Sequence, residues 1–240
     1  MFIDLHLHTK YSDASTKVID AIKFAKKNNI GIAITDHNNI RGALEAEKYK
    51  DVLTIPSIEI GTKENKHAVL HFYNSKELEE FYNKHIKNHK SKDLLFNWWK
   101  TDIQITELVD IAQDYNCVIV AAHPYNPILT NKNWNLKTVP NMKKIHAIEI
   151  LNSAIKMSWN EGAKKLAKEL NKPGVAGSDA HCISNIGKAG IVSNGTTIEE
   201  ILNEIKQGKI KVQGKTYNAE ENLKHAKEVV MNNIFPQILQ

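Results

Sequence analysis

Short apolar runs that stop at a histidine or a carboxylate recur along this chain, and an amphipathic stretch separates each run from the next. Residues 2–7 alternate in polarity and carry His6, with His8 just beyond. Residues 31–34 lead into Thr35-Asp36-His37-Asn38, and residues 52–60 contain Glu59. A run over 67–73 opens at His67, residues 117–122 end at His123-Pro124, residues 145–151 precede Asn152, and residues 175–177 precede Asp179 and His181. The intervening segments carry helical stripes. Val18, Ile19, Ile22 and Ala25 form the first, behind a cap at Ser15 or Thr16, and others fall at 42–50, 77–86, 105–115, 159–170, 196–207 and 219–234. Strand and helix patterns thus alternate, and hairpin signals are scarce. The expectation is an α/β chain of parallel strands covered by helices, curved as in a TIM barrel, with the polar groups gathered at the carboxyl ends of the strands. No repeat or linker divides residues 1–240, so a single domain is expected.

Composition narrows the classes. No run of 18 apolar residues occurs, which argues against a membrane span. The start Met1-Phe2-Ile3-Asp4-Leu5-His6 lacks the basic and apolar regions of a secretory signal. Cys117 and Cys182 are the only cysteines, too few for a disulfide scaffold or a thiolate zinc site, and they suit a reducing cytoplasm. The net charge is +5, and Arg41 is the only arginine. Bidentate reading of DNA bases is therefore not expected, whereas attraction for phosphate remains. The densest basic run, 84–92, reads as a solvated face or a lid.

The chemistry lies in the set of polar groups. His6 and His8 are two apart on a strand and face the same way, and Asp179 and His181 repeat that spacing. Any one of these histidines alone is more often a packed residue. Two pairs, together with Asp13, His37, Glu59, His67 and His123, make a metal site the better reading, and imidazole with carboxylate suits Mn, Zn or Fe.

The motifs Asp4-Leu5-His6-Leu7-His8-Thr9 with Ser12-Asp13, Thr35-Asp36-His37-Asn38, Glu59, His67, Ala122-His123-Pro124 and Gly177-Ser178-Asp179-Ala180-His181 follow one another in order. As a set they resemble the PHP (polymerase and histidinol phosphatase) superfamily of metal-dependent phosphoesterases. The resemblance implies a distorted (β/α)7 barrel and two or three divalent ions. It implies that His6, His8, Glu59 and Asp179 hold one ion. Glu59, His67 and His123 hold a second, and Asp13, His37 and His181 a third. His71, on the same strand face as His67, is the alternative there. His67 is preferred because it precedes Ala68-Val69-Leu70 as the family residue does.

By the same resemblance, a metal-bridging hydroxide attacks the phosphorus of a phosphomonoester or phosphodiester. Glu59, Asp179 and His181 carry the catalytic roles. His181 or His37 would be free to act as general acid if the third site were empty. Asp36 is either an outer-shell partner of a ligand or a buried structural group. Arg41, Tyr125 and Asn152 are the substrate-binding candidates, with Arg41 as phosphate clamp; Lys10 and Lys156 lie near them. A small phosphorylated substrate is the leading expectation. The alternatives are 3'-5' exonuclease or oligonucleotide-processing activity on short nucleic acid, or a non-catalytic metal-stabilised binding module. Oligomeric state is not legible.

Overall fold

The computed structural model describes residues 1–91, 99–126 and 143–234, with side chains described through residue 231. Leu94, Leu95, Phe96 and Trp98, the Asn- and Pro-rich stretch at 127–142, and the terminal Phe235, Ile238 and Leu239 lie outside the described residues.

In chain order the elements are β1 (Phe2–Leu7), α1 (Val18–Asn28), β2 (Gly31–Ile34), α2 (Arg41–Ala46), β3 (Ser57–Gly61), β4 (His67–Phe72), α3 (Ser75–Phe81), α4 (Ile105–Ala112) and β5 (Cys117–Ala121). They continue with β6 (Ala147–Asn152), α5 (Met157–Glu169), β7 (Gly174–Gly177), β8 (Ala189–Val192), α6 (Ile198–Lys206), β9 (Lys211–Gly214) and α7 (Ala219–Ile234). A π-helical turn, Tyr82–Ile86, prolongs α3.

The strands do not close into a TIM-like barrel, and the expected (β/α)7 arrangement is corrected here. They form two mixed sheets, one ordered β2-β1-β8-β9 and the other β3-β4-β5-β6-β7. The pairs β3–β4, β4–β5, β1–β8 and β8–β9 are antiparallel, while β1–β2, β5–β6 and β6–β7 are parallel. The cause is local. Each neighbouring pair in a parallel barrel needs a crossover connection, but β3 and β4 are joined by a tight turn. Thr62 N–H donates to Lys66 O, Asn65 N–H donates to Thr62 O, and Asn65 supplies the left-handed backbone (φ 61°) that closes the turn. Between the two sheets β7 lies against β1 and β8, and isolated bridges join Leu7 with Ala180, His37 with Glu59 and Ile32 with Thr54. The first two bridges lie beside the polar groups.

The helices are ordinary in cause. α1 buries Val18, Ala21, Ile22 and Ala25 on one face. Lys17, rather than Ser15 or Thr16, is its N-cap and makes no side-chain cap bond; Asn29 ends the helix at φ 53°. α6 begins with a capping box between Thr197 and Glu200. The largest apolar cluster joins β3, β4, β5, α3 and α4 through Ile58, Leu70, Phe72, Phe81, Leu108 and Ile119. A second joins β1, β5 and α6 through Ile3, Leu5, Val120, Leu202 and Ile205. α7 packs less deeply, and Leu223, Val230 and Met231 are exposed, so this part of the tail is not core. The basic run is a solvated face where it is described: Lys84, Lys87 and His89 are exposed.

β7 passes so close to β1 that Gly177 has no room for a side chain. A Cβ there would lie 2.2 Å from the Cβ of His6 and 2.7 Å from its backbone nitrogen. Gly177→Ala should therefore cost about 1–3 kcal/mol, the range for forced overpacking. A denaturant titration of wild type and variant checks this, with a lowered midpoint at unchanged slope as the expected result.

Candidate metal centre

The strand directions decide which end of each element reaches the centre. β1, β5 and β7 deliver His6, His8, His123 and Asp179 from their carboxyl ends. β4 runs the opposite way, so its first residue, His67, reaches the same place. The β3–β4 register pairs Gly61 with His67 and Glu59 with Val69, which puts Glu59 and His67 side by side. His37 follows β2, and its bridge to Glu59 is completed by Asn38 N–H donating to Glu59 O.

Glu59 is fully buried, and its two carboxylate oxygens divide the histidines between them. Oε1 lies 2.9 Å from His67 Nδ1 and 3.0 Å from His123 Nε2. Oε2 lies 3.0 Å from His37 Nδ1 and 3.4 Å from both His6 Nε2 and His8 Nε2. Asp179 Oδ1 stands 3.2 Å from His8 Nε2 and 3.8 Å from His6 Nε2. Asp13 Oδ2 stands 2.9 Å from His181 Nε2 and 3.8 Å from His37 Nε2. Among the described residues, four sets bring their ligand atoms within 4.8 Å of one another. They are His8–Asp13–His37–His181, His6–His123–Asp179, His6–His8–Glu59 and His37–Glu59–His67.

The donor set fits divalent ions. His6 Nε2, His8 Nε2, Glu59 Oε2, His67 Nε2 and His123 Nδ1 are buried without a hydrogen-bond partner, an arrangement that a protein core tolerates poorly unless something else fills the site. Nitrogen and carboxylate oxygen in these groupings suit two or three ions of the Mn, Zn or Fe kind. His71 is placed elsewhere. Its Nδ1 is 2.7 Å from Ser57 Oγ, and it belongs to none of the four sets.

Behind the ligands stands a layer of buried carboxylates and amides. Glu149 accepts from His6 Nδ1 at 3.0 Å, from His123 N–H at 2.7 Å and from Asn152 Nδ2 at 3.1 Å. This turns His6 Nε2 toward the centre. Sequence reasoning missed Glu149; the signal was a carboxylate inside the apolar run of β6. Asn152 also donates to Asp179 Oδ2 at 3.1 Å and accepts from Ala154 N–H at 2.9 Å. Its amide thus orients ligands instead of opening toward a substrate. Asp36 takes the buried structural role: it accepts from Thr9 N–H, Thr9 Oγ1 and Ser12 Oγ and pins the loop that carries Asp13. Burial pushes its carboxyl up to about 6, against the lowering effect of those bonds. Two ligands adopt left-handed backbone, His123 (φ 26°) and Asp179 (φ 53°). The strain at Asp179 is offset in part by its N–H donating to His6 O at 2.7 Å.

None of the remaining candidates belongs to the four sets. Tyr125 packs its ring on Gly162 of α5. Lys156 precedes α5 and lies over Trp159. Arg41 is exposed, with its guanidinium 4.4 Å from the Tyr11 ring centre. His85 bonds to Tyr115 and His89 pairs with Asp102. His146 accepts from Ile119 N–H, and His225 meets the His181 ring edge-on at 4.6 Å.

Burial disfavours every charge in the centre, and close partners decide which charges survive. Burial works to raise Glu59, but His37, His6 and His67 hold it well below the carboxylate range. Burial would lower His181, but Asp13 and Asp179 lift it to about 9. His8 moves the other way, to about 4, through burial and the neighbouring His181 and His37.

Two predictions follow from this geometry. In the metal-free protein, His181 is raised above its unfolded value, so its ion pair stabilises fully below about pH 6.5 and is lost as pH rises through about 9. Metal must displace that proton, so the rise in melting temperature on adding Mn or Zn to chelator-treated protein should be larger near pH 8.5 than near pH 6.5. Scanning calorimetry at the two pH values checks it. Glu149→Gln should weaken metal affinity by about 10–100-fold, read by competition with a chromogenic chelator.

A PHP domain family pattern matches residues 4–116, and a PHP-associated pattern matches residues 157–210. An uncharacterized protein of Methanocaldococcus jannaschii is 29% identical over 143 residues, which is 53% of this chain and 70% of that protein. The fold is similar to that of the lesion-specific endonuclease Q of Pyrococcus furiosus, with a TM-score of 0.70 at 22% identity over 88% of this chain and 57% of that one. An endonuclease Q complex with a 27-mer duplex bearing an abasic lesion at the active site gives a TM-score of 0.71 at 20% identity, over 94% and 66% of the two chains. This chain therefore spans well under the full length of endonuclease Q. A two-domain protein of Bacteroides vulgatus containing a predicted PHP-like metal-dependent phosphoesterase gives 0.66 at 16% identity, over 95% and 69%. Among the described residues no helix is long and apolar enough to cross a membrane. Between them the two family patterns take in every member of the four ligand sets except His123, and on those grounds this chain, with the ligand clusters of a metal-dependent hydrolase, belongs to the PHP superfamily.

Proposed function

We propose that this protein is a metal-dependent phosphodiesterase that cleaves nucleic-acid strands. The observation that carries the hydrolase reading is the split of the Glu59 carboxylate, with one oxygen toward His67 and His123 and the other toward His6, His8 and His37. A carboxylate placed in this way suits a bridge between two ions. The likeness of fold to an endonuclease over most of the chain favours a nucleic-acid phosphodiester over the small phosphomonoester expected from the motifs. An excess of lysine with net charge +5 agrees with a polyanionic substrate.

Divalent ions, when bound, supply a water of lowered pKa and positive charge against the phosphoryl oxygens. The chain's own contribution is positioning. Glu59 and Asp179 hold negative charge at the centre, and Glu149 and Asn152 fix His6 and Asp179 in place. His181 is oriented by its Nδ1 against Asp179 O at 3.0 Å, which leaves Nε2 toward Asp13. Deep burial keeps bulk water from the reacting phosphate and strengthens each of these interactions.

The test loads stripped protein with Mn, Zn or Fe and offers short single-stranded and duplex oligonucleotides, bis(p-nitrophenyl) phosphate and p-nitrophenyl phosphate. Strand cleavage is expected, reduced by about a hundredfold or more in Asp179→Asn, which takes a carboxylate out of the metal set. Phosphate release from the monoester alone would return the assignment to a small-molecule phosphatase. Stoichiometric metal binding with no turnover on any substrate would mean a non-catalytic module.

A further inference from the structure

Two cations gather over one aromatic ring beside the metal centre. Lys10 Nζ lies 5.0 Å and Arg41 Cζ 4.4 Å from the centre of the Tyr11 ring. Like charges brought together on one ring repel, yet among the described residues neither cation makes an ion pair with a carboxylate. Tyr11 is held at three points, one on its ring and two on its backbone. Tyr11 Oη donates to Glu45 Oε2 at 2.6 Å, Tyr11 O accepts from Asn39 Nδ2 at 2.7 Å, and Tyr11 N–H donates to Thr9 Oγ1 at 3.3 Å. A ring locked in this way holds both cations in place before any ligand arrives, so little side-chain entropy remains to be lost on binding.

Their location sets what they can bind. Lys10 and Tyr11 sit on the loop between β1 and α1 that carries Asp13. Arg41 opens α2, one helical turn after His37. The two loops are stitched together by Asp36 through Thr9 and Ser12. Asp13 and His37 are buried or nearly so, whereas Lys10 and Arg41 are exposed at the rim. The reacting phosphate belongs at the buried ligands, and these cations lie outside them.

We infer that Lys10 and Arg41, held on Tyr11, form a subsite for a second, non-reacting phosphate group, so that the enzyme prefers a phosphodiester flanked by another phosphate. This rests on the phosphodiesterase reading and adds the substrate feature that the rim selects. The guanidinium offers a paired donor face to phosphate oxygens, and the ammonium adds a point charge. A strand of nucleic acid supplies a neighbouring phosphate at every internal linkage, and an isolated phosphodiester supplies none.

The experiment measures kcat and KM of the metal-loaded full chain on TpT, pTpT and TpTp. At least one phosphate-flanked dinucleotide should show a KM about tenfold below that of TpT, a difference that a single charge-assisted contact can supply. Arg41→Ala and Lys10→Ala should each reduce that preference, chiefly through KM on the flanked substrate. Tyr11→Phe, which keeps the ring, should retain it, and Tyr11→Leu should weaken it. Equal KM for all three substrates in the wild type would overturn the inference, as would an Arg41→Ala change that falls equally on TpT. If neither the dinucleotides nor the oligonucleotides are cleaved, the phosphodiesterase reading falls by itself. Fluorescence anisotropy with labelled TpT, pTpT and TpTp then decides the subsite. Tighter binding of a flanked form, lost in Arg41→Ala, supports it, and equal binding refutes it.

Discussion

An ionised carboxylate with no solvent exposure persists only where positive charge surrounds it, and in this fold that carboxylate is Glu59. Its neighbours arrive from separate elements: His6 and His8 from β1, His37 from the end of β2, His67 from β4 and His123 from the end of β5. One side chain thereby ties both sheets to a common point. Two of the isolated bridges between the sheets, Leu7 with Ala180 and His37 with Glu59, lie at the same place. Removing the carboxylate would leave five imidazoles facing one another in a dry interior, and removing the imidazoles would strand the carboxylate.

The centre is held by an outer set of buried acids that do not face it. Asp4 accepts from the backbone N–H groups of His6, Ser178 and Gly187 and from Ser178 Oγ, binding β1 to the turn that carries Asp179. Asp36 does the same for the loop of Asp13, and Glu149 for His6 and His123. Three acids thus serve three loops, and each is satisfied by several donors, which fixes the loops even where burial outweighs the bonds, as at Asp36. Tyr217 adds a strut from beyond β9 by donating to Ser178 O at 2.6 Å.

His6, Glu59, His67 and His123 stand in or at the ends of apolar runs and are legible there, whereas Asp13 lies among polar residues and is legible only through the order of motifs that resembles the PHP set. The helices were readable from their stripes, although α2 is shorter than its pattern and α1 begins without the expected side-chain cap. The sheet order was not readable. The run Lys63 to Lys66 is legible as a turn, but it contains no glycine, and nothing in its sequence marks Asn65 as the left-handed residue that folds β4 back against β3. Asn152 and Glu149 show the other limit. Glu149 lies inside β6 and Asn152 at its end, and only the three-dimensional pairing shows which buried groups each one meets.

The tight turn between β3 and β4 also bears on how the centre comes into being. Glu59 and His67 are eight positions apart and meet as soon as one hairpin forms. His6 and Asp179 are brought together across nearly the whole described chain, through pairings that close last in a search governed by loop entropy. Half of the coordination sphere is therefore local and half is global. A chain still emerging from the ribosome can offer an ion the hairpin carboxylate and one imidazole, but the full ligand set exists only after residue 181 has been made and β7 has docked on β1. Tight ion capture thus marks the docking of β7 on β1, before the elements that follow residue 181 need be in place.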